Sequence, residues 1–468
     1  MHPGGCTVNA TLVLPEALAR ELRGFVDGEL ETAGVLLASV FQTSHGNYRI
    51  LGRQLRLVPE KSYRVRDFDQ LEISSDGYVD TLAEAEALKA TAIWFHTHPG
   101  EGSSAKSSDQ DALVDEQLSD VFRLRTGQDF YGALVFAVKN GGLTFTGHLD
   151  DGNGRVRVSR LWSVGDRLTQ IVASDSSIDR PATTFDRNIR AFGGGIQQVL
   201  QEIHVGIVGC GGTGSSVAEQ LVRLGVRYFH LVDPDVISES NLTRLYGSTS
   251  ADVGTSKVDV LALHLRAIAP DAIITTDASM ITLRPAALGL AGLDLIFGCT
   301  DDNAGRLVLS RLSTYLLTPV IDCGVLLSSD RGANGELTGI DGRVTTLVPG
   351  AACLVCRGRI DLQRANSELL TPEERIRLVN EGYAPALQGI EPAVVTFTTL
   401  VAATAVSELL ERLIGYGPDP RPTEVLLRIH DREISTNVMA PRHHHYCDPD
   451  TGKIGIGLTE PFLEQIWP

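Results

Sequence analysis

The 468-residue sequence predicts two α/β domains in series, the second of them doubly wound. Three observations lead there. The chain is about three times a typical domain length, so more than one core is expected. Strand-like apolar runs alternate with helical stretches in both halves. Between the two series lies ASDSSIDRPATT, whose Ser, Asp and Pro content marks a connection. A hydrophobic share of 43% and a charged share of 21% fit a globular protein with real cores. A formal net charge of −17 argues against non-specific attraction to nucleic acid or to an anionic membrane, and no Lys/Arg run offers a local basic face.

In the first half, GVLLASV, TAIWFHTH and GALVFAVKN read as strands, and Pro15–Leu22 and 111–122 as helices, which assigns residues 1–165 to an N-terminal domain. From Ser163 to Thr184 a short helical pattern runs into the connection, giving a linker at 166–184. After it, HVGIVG, RYFHLVD, LDLIFGCTD and PVIDCGV alternate with helical stretches through a second domain at 185–447. The longest apolar stretch, Pro392 to Leu410, is interrupted by Thr396, Thr398, Thr399, Thr404 and Ser407 and reads as a buried helix rather than a membrane span. Residues 448–468 read as a docked C-terminal extension. Seven cysteines are too sparse and too odd in number for a disulfide scaffold, and the first residues lack the features of a secretory signal. A reducing, cytoplasmic setting is expected.

Chemistry concentrates first at the end of the TAIWF strand, in His96-Thr97-His98-Pro99, followed by Ser108-Asp109-Gln110-Asp111 at a helix start. Two imidazoles and one carboxylate leave a fourth tetrahedral position for water, as a hydrolytic zinc site requires. Glu31 in ETAGVLLA is the candidate base for that water. These residues resemble the JAMM (JAB/MPN) metalloprotease family over roughly residues 10–150. The resemblance implies an α/β JAB/MPN domain, zinc on His96, His98 and Asp111, Glu31 as general acid/base, and Ser108 helping to stabilise the oxyanion. The family's usual ten-residue spacing would select Asp109, whereas its Ser-x-x-Asp pattern selects Asp111, and Asp111 is preferred.

The second concentration begins where the strand HVGIV meets Gly209-Cys210-Gly211-Gly212-Thr213-Gly214 and a helix. In that context G-x-G-x-x-G presents backbone N–H groups to phosphate, and Asp233 at the end of the next strand stands where a ribose-binding acid belongs. A glycine-rich turn alone does not separate NAD from ATP. Beyond it come Asn241, Arg244, Lys257 and the run Cys299-Thr-Asp301-Asp302-Asn303, whose cations suit a triphosphate and whose Asp301 suits magnesium.

This ordered series resembles the ubiquitin-activating and ThiF-type adenylyltransferases across most of 185–447. The resemblance implies a Rossmann-like fold, with Gly209, Gly211 and Gly214 at the nucleotide turn and Asp233 on ribose. It also implies Asn241, Arg244 and Lys257 on the phosphates and Asp301 on Mg2+. Arg187, in Phe185-Asp-Arg187-Asn-Ile, matches an arginine that reaches the partner subunit's nucleotide, so a homodimer is expected. The implied reaction is attack of a carboxylate on the α-phosphorus of ATP, giving an acyl-adenylate and pyrophosphate.

Cys353-x-x-Cys356 and His444-x-x-Cys447 form two ligand pairs suited to a closed structural zinc site, with His443 or His445 able to replace His444. Relatives that carry a thioester cysteine often place it between these pairs, where this chain has none; Cys210 and Cys323 read as packed residues. Together the two resemblances imply a bifunctional enzyme that adenylates, and hydrolyses amides at, the C-terminal glycine of a ubiquitin-like protein. A separate conjugating enzyme would be a further partner. The alternatives are activation and processing of a sulfur carrier for cofactor or amino-acid synthesis, and a non-catalytic scaffold.

Overall fold

A computed structural model describes residues 8–68, 70–174, 183–329, 337–370, 373–374, 377 and 393–467. The chain separates into two compact units, one built on residues up to 178 and the other on those from 179 onward, with 315–317 and 454–459 grouped with the first.

In the first unit the strands are β1 (Asn9–Pro15), β2 (Ala33–Gln42), β3 (Tyr48–Leu57), β4 (Tyr63–Arg66), β5 (Leu71–Ile73), β6 (Thr91–Glu101), β7 (Tyr131–Lys139), β8 (Gly142–Asp150), β9 (Arg155–Val164) and β10 (Leu168–Val172). The main sheet runs β1-β3-β2-β6-β7-β8-β9-β10, and β1 also pairs with β9, so the sheet curls back on itself. Along β2 and β6 the period of two sorts side chains cleanly. Leu36, Ala38, Ile93 and Phe95 enter the core that also takes Leu18, Leu22 and Val26 of α1 (Glu16–Val26). Val35, Leu37, Ala92 and Trp94 enter a second core beneath α2 (Asp76–Ala87) and α3 (Asp109–Thr126), where Leu82, Ala85, Leu118 and Phe122 meet them. His96 and His98 continue the parity of Ala92 and Trp94, toward the α3 side.

Leu168–Val172, expected to lie in a linker with a helical pattern, is instead strand β10, paired antiparallel with Arg160–Val164 of β9. A predicted domain end at 165 therefore falls inside a hairpin. Of the ASDSSIDRPATT connection, residues 175–182 lie outside the described residues.

The second unit holds β11 (His204–Val208), β12 (Tyr228–Val232), β13 (Ile273–Asp277), β14 (Leu295–Gly298), β15 (Val320–Ser329), β16 (Leu337–Leu347), β17 (Glu424–Arg428) and β18 (Glu433–Asn437). Their order is β13-β12-β11-β14-β15-β16-β17-β18, parallel as far as β15 and antiparallel beyond it. From β11 the chain proceeds to β12 on one side and later returns to β14 on the other, so β11 marks the switch point where open α/β sheets form a ligand crevice. Helices are α4 (Asp186–Phe192), α5 (Gly194–Glu202), α6 (Gly212–Leu224), α7 (Lys257–Ile268), α8 (Arg284–Gly289), α9 (Asn303–Tyr315), α10 (Leu362–Glu368) and the long helix Val395–Ile414. That last helix buries Val401, Ala402, Ala405 and Leu409, in accord with the buried-helix reading, though Pro392 itself lies outside the described residues. No described helix is long and apolar enough to cross a membrane.

Candidate active sites

The antiparallel register of β2 and β6 pairs Ala33 with His96, and extending it two residues sets Glu31 across from His98. Thr97 locks this crossing: its N–H donates to the Thr32 carbonyl at 2.9 Å and its hydroxyl accepts from the Thr32 N–H at 3.0 Å. His96 Nε2 lies 3.2 Å from His98 Nε2 and 3.6 Å from Asp111 Oδ1, and Glu31 Oε1 lies 3.8 Å from His98 Nε2. Nitrogens and oxygens at such separations suit neighbouring vertices around an ion bound at about 2.0–2.2 Å. The Ser104 carbonyl holds His98 Nδ1 at 2.6 Å and orients the ring. Burial brings the His96 pKa down to about 4, against the opposing pull of Asp111, so the imidazole is neutral and able to donate a lone pair.

Asp111 reaches the histidines because α3 begins at Ser108. The Ser108 hydroxyl accepts from the Asp111 N–H at 3.1 Å, and the Asp111 carboxylate accepts from the Ser108 N–H at 2.7 Å, a capping box. Ser108 Oγ also donates to Asp111 Oδ2 at 2.8 Å. The hydroxyl's single proton is thus committed to Asp111. Ser108 thereby orients the Asp111 carboxylate, one member of the donor cluster. Asp111, and not Asp109, joins the histidines in the donor cluster.

Behind the cluster a cavity of about 190 Å³ is lined by His96, Asp111, Asp115 and His148 among others. Burial lifts the Asp115 pKa to about 6 although Tyr131 donates to it at 3.1 Å, and burial lowers that of His148 to about 4. Sequence reasoning passed over both residues, since neither falls in a motif.

In the second unit, Gly209 has φ +88, and a Cβ there would lie 2.6 Å from the Cys299 carbonyl carbon; at Gly214 a Cβ would strike the Gly209 oxygen at 1.9 Å. These glycines bring β11, β14 and α6 together. Gly211 has open space where its Cβ would be, at the N-terminus of α6. Asp233 is buried at the end of β12, which raises its pKa, and it accepts from the Cys210 N–H at 2.6 Å and the Asp235 N–H at 2.9 Å. Lys257 Nζ sits 3.8 Å from Asp233 and donates to Asp235 Oδ2 at 2.7 Å. Arg244 Nη1 donates to the Ser240 carbonyl at 2.8 Å, and Asn241 Oδ1 accepts from the Ser238 N–H at 3.1 Å. Asp301 is exposed, while Asp302 accepts from Thr300 and from the Gly305 N–H and so caps α9. Asp235 was missed from sequence; its only signal was its place two residues after Asp233.

The family description "ThiF family" matches residues 185–448, more than half of the chain. The chain belongs to the ThiF family. Among curated relatives, "Ubiquitin-like modifier-activating enzyme 5" of Arabidopsis thaliana is 29% identical over 174 residues, 34% of this chain and 38% of the relative. "SAMP-activating enzyme E1" of Haloferax volcanii is 28% identical over 157 residues, 34% of this chain and 54% of the relative. "Adenylyltransferase and sulfurtransferase uba4" of Emericella nidulans is 35% identical over 130 residues, 28% of this chain and 27% of the relative. The chain thus spans about a quarter to a half of the length of these relatives.

Within the ThiF region, Cys353, Cys356 and Cys447 gather with His445. His445 Nδ1 lies 3.4, 3.3 and 3.4 Å from the three sulfurs, and Cys356 Sγ is 3.6 Å from Cys447 Sγ. That separation is far longer than a disulfide and matches an edge of a tetrahedron with metal–sulfur bonds of about 2.3 Å. A hydrogen bond from Cys447 holds the Cys353 thiol down to about 5, favouring the thiolate a metal needs. The expected ligand His444 is displaced by its neighbour. His444 takes φ +58 and donates its N–H to Asp448 at 2.8 Å, and the turn so formed presents the next ring to the sulfurs. Cys210 and Cys323 are buried, as packed residues should be. Arg187 is exposed on α4.

Proposed function

We propose that the second unit adenylates the C-terminal carboxylate of a small carrier protein of the ubiquitin-like or sulfur-carrier type ending in glycine. What supports this reading is the contact of the Gly209–Gly214 turn with Asp233 and Arg244, and of Asp233 with Lys257, beside β11 of a ThiF-family sheet. ATP would lie along the turn, with ribose on Asp233 and the phosphates on the α6 N-terminus, Arg244 and Lys257. Asp301, being uncommitted to the α9 cap, is the residue to hold magnesium, which neutralises phosphate charge when bound. The substrate carboxylate oxygen attacks the α-phosphorus, and pyrophosphate leaves. Arg187, exposed on α4, would serve the nucleotide of a second copy in a homodimer.

In the first unit, His96, His98 and Asp111 would hold zinc, which supplies Lewis-acid activation of water. Glu31 takes the proton of the attacking water and passes it to the leaving amine, so that an amide at the carrier's C-terminal glycine is hydrolysed. Cys353, Cys356, His445 and Cys447 would hold a second, structural zinc.

Of the two biological readings, sulfur-carrier activation and processing has the better support. The Emericella relative is described as both adenylyltransferase and sulfurtransferase, and this sequence has no cysteine between Cys356 and Cys447 to carry a thioester. The experiment is ATP–pyrophosphate exchange with the purified chain and candidate carriers, followed by mass analysis of the carrier. Carrier-dependent exchange with one oxygen replaced by sulfur after addition of a sulfur donor supports this reading. Exchange accompanied by lysine conjugates favours the modifier reading, and no exchange with any carrier, together with no binding of ATP or zinc, leaves the scaffold.

A further inference from the structure

We propose that Arg343 is the receptor for the carboxyl end of the acyl substrate in the second unit. Arg343 stands on β16 opposite Gly324 of β15, two residues past Asp322, which pairs with the last residue of β14. It therefore lies beyond the carboxyl ends of the parallel strands, where open α/β sheets bind ligands. Three strand spacings, roughly 14 Å, separate β16 from β11, on the side away from the ribose acid Asp233. That placement suits the entering carboxylate better than the nucleotide.

Among the described residues the guanidinium has no hydrogen-bond acceptor. Its Nε is buried without a hydrogen-bond partner, and no side-chain hydrogen bond or salt bridge joins Arg343 to any described residue. Neighbouring carboxylates are already taken: Arg306 binds both oxygens of Asp322 at 2.9 and 2.6 Å, and Arg359 binds both oxygens of Glu424 at 3.1 Å. Burial, reinforced by Arg306 and Arg359 and only partly offset by Asp322 and Glu424, lowers the Arg343 pKa to about 10, so the charge is carried at a cost that an incoming anion would relieve. Space is reserved as well: a Cβ on Gly324 would come within 3.3 Å of Arg343 Nη2. A planar fork with free donors is suited to a carboxylate.

This inference rests on the adenylation reading and deepens it. The test uses the full chain, a hexapeptide ending in Gly-Gly and its C-terminal amide as probes, ATP–pyrophosphate exchange, and calorimetric ATP binding. Wild type is expected to exchange with the peptide and not the amide. Arg343→Gln should raise KM for the peptide at least tenfold and leave ATP affinity within twofold; Arg343→Lys should recover part of the loss. Because a buried charge with no hydrogen-bond acceptor among the described residues is removed, the midpoint of thermal unfolding of Arg343→Gln should hold or rise. An unchanged peptide KM overturns the inference, as does an equal loss of ATP affinity, or a fall in the unfolding midpoint that marks Arg343 as a structural pin. A wild type that binds ATP but shows no peptide-dependent exchange instead defeats the adenylation reading, and this inference with it.

Discussion

The two candidate sites of this chain are prepared in opposite ways. In the first unit the donor atoms of His96, His98 and Asp111 already converge, and each is fixed by a neighbour: His98 by the Ser104 carbonyl, Asp111 by Ser108. In the second unit the cations are parked on protein acceptors, Lys257 on Asp235 and Arg244 on the Ser240 carbonyl. A site for a small ion gains most from rigid convergence, because a displacement of a few tenths of an ångström spoils coordination. A site for a large polyanion must admit and release it, so its charges are held by partners that phosphate can replace. Carboxylate and carbonyl oxygens serve that purpose, and in their resting state they keep the buried lysine from standing unpaired.

Substitutions can break this contrast. The largest effect is expected at Glu31→Gln, which should lower amide hydrolysis about 10²–10⁴-fold while zinc content, read by atomic absorption, and pyrophosphate exchange stay unchanged. Lys257→Ala should lower pyrophosphate exchange about 10²–10³-fold and leave hydrolysis within twofold, the mirror image of the first variant.

Asp115→Asn probes how rigidly the first site is held. With its pKa lifted to about 6 from an ordinary 3.8, the folded state binds a proton more tightly than the unfolded state. The destabilisation is absent below about pH 4, grows as pH rises toward 6, and is complete above it. The Asn variant should therefore be more stable than wild type by roughly 1–3 kcal/mol at pH 8 and by almost nothing at pH 4, measured by urea unfolding of the first unit. The smallest effect is expected at Asp235→Asn: freeing Lys257 from an exposed partner should raise ATP affinity about two- to fivefold by calorimetry. A fall in affinity would mean that Asp235 positions the lysine and does not merely hold it.

Where a candidate site is built from neighbouring elements, its placement was readable in the sequence. His96, His98 and Asp111 sit on one strand end and one helix start, so parity and capping place them without long-range information. The same holds for Asp233 and the glycines around β11. What stayed hidden depends on distant pairings. The closure of the first sheet joins Asn9 to Arg157, and nothing near either residue announces it. Leu168–Val172 is only five residues long with polar Thr169 and Gln170, and its strand identity comes from β9. Three consecutive histidines offered no local ground for choosing among them, and a left-handed backbone at His444 decided for His445. Arg343 lacked any motif because its significance is the want of a hydrogen-bond acceptor among the described residues, which only three-dimensional placement reveals.

Asp111 is the third residue of α3, and its carboxylate closes the cap of that helix while facing the histidines. Helix initiation and placement of the Asp111 carboxylate beside the histidines are consequently one event. If the cluster holds zinc as proposed, any change that frays the first turn of α3 would also erode metal retention, and a loss of zinc would then report damage to a helix cap rather than to a ligand.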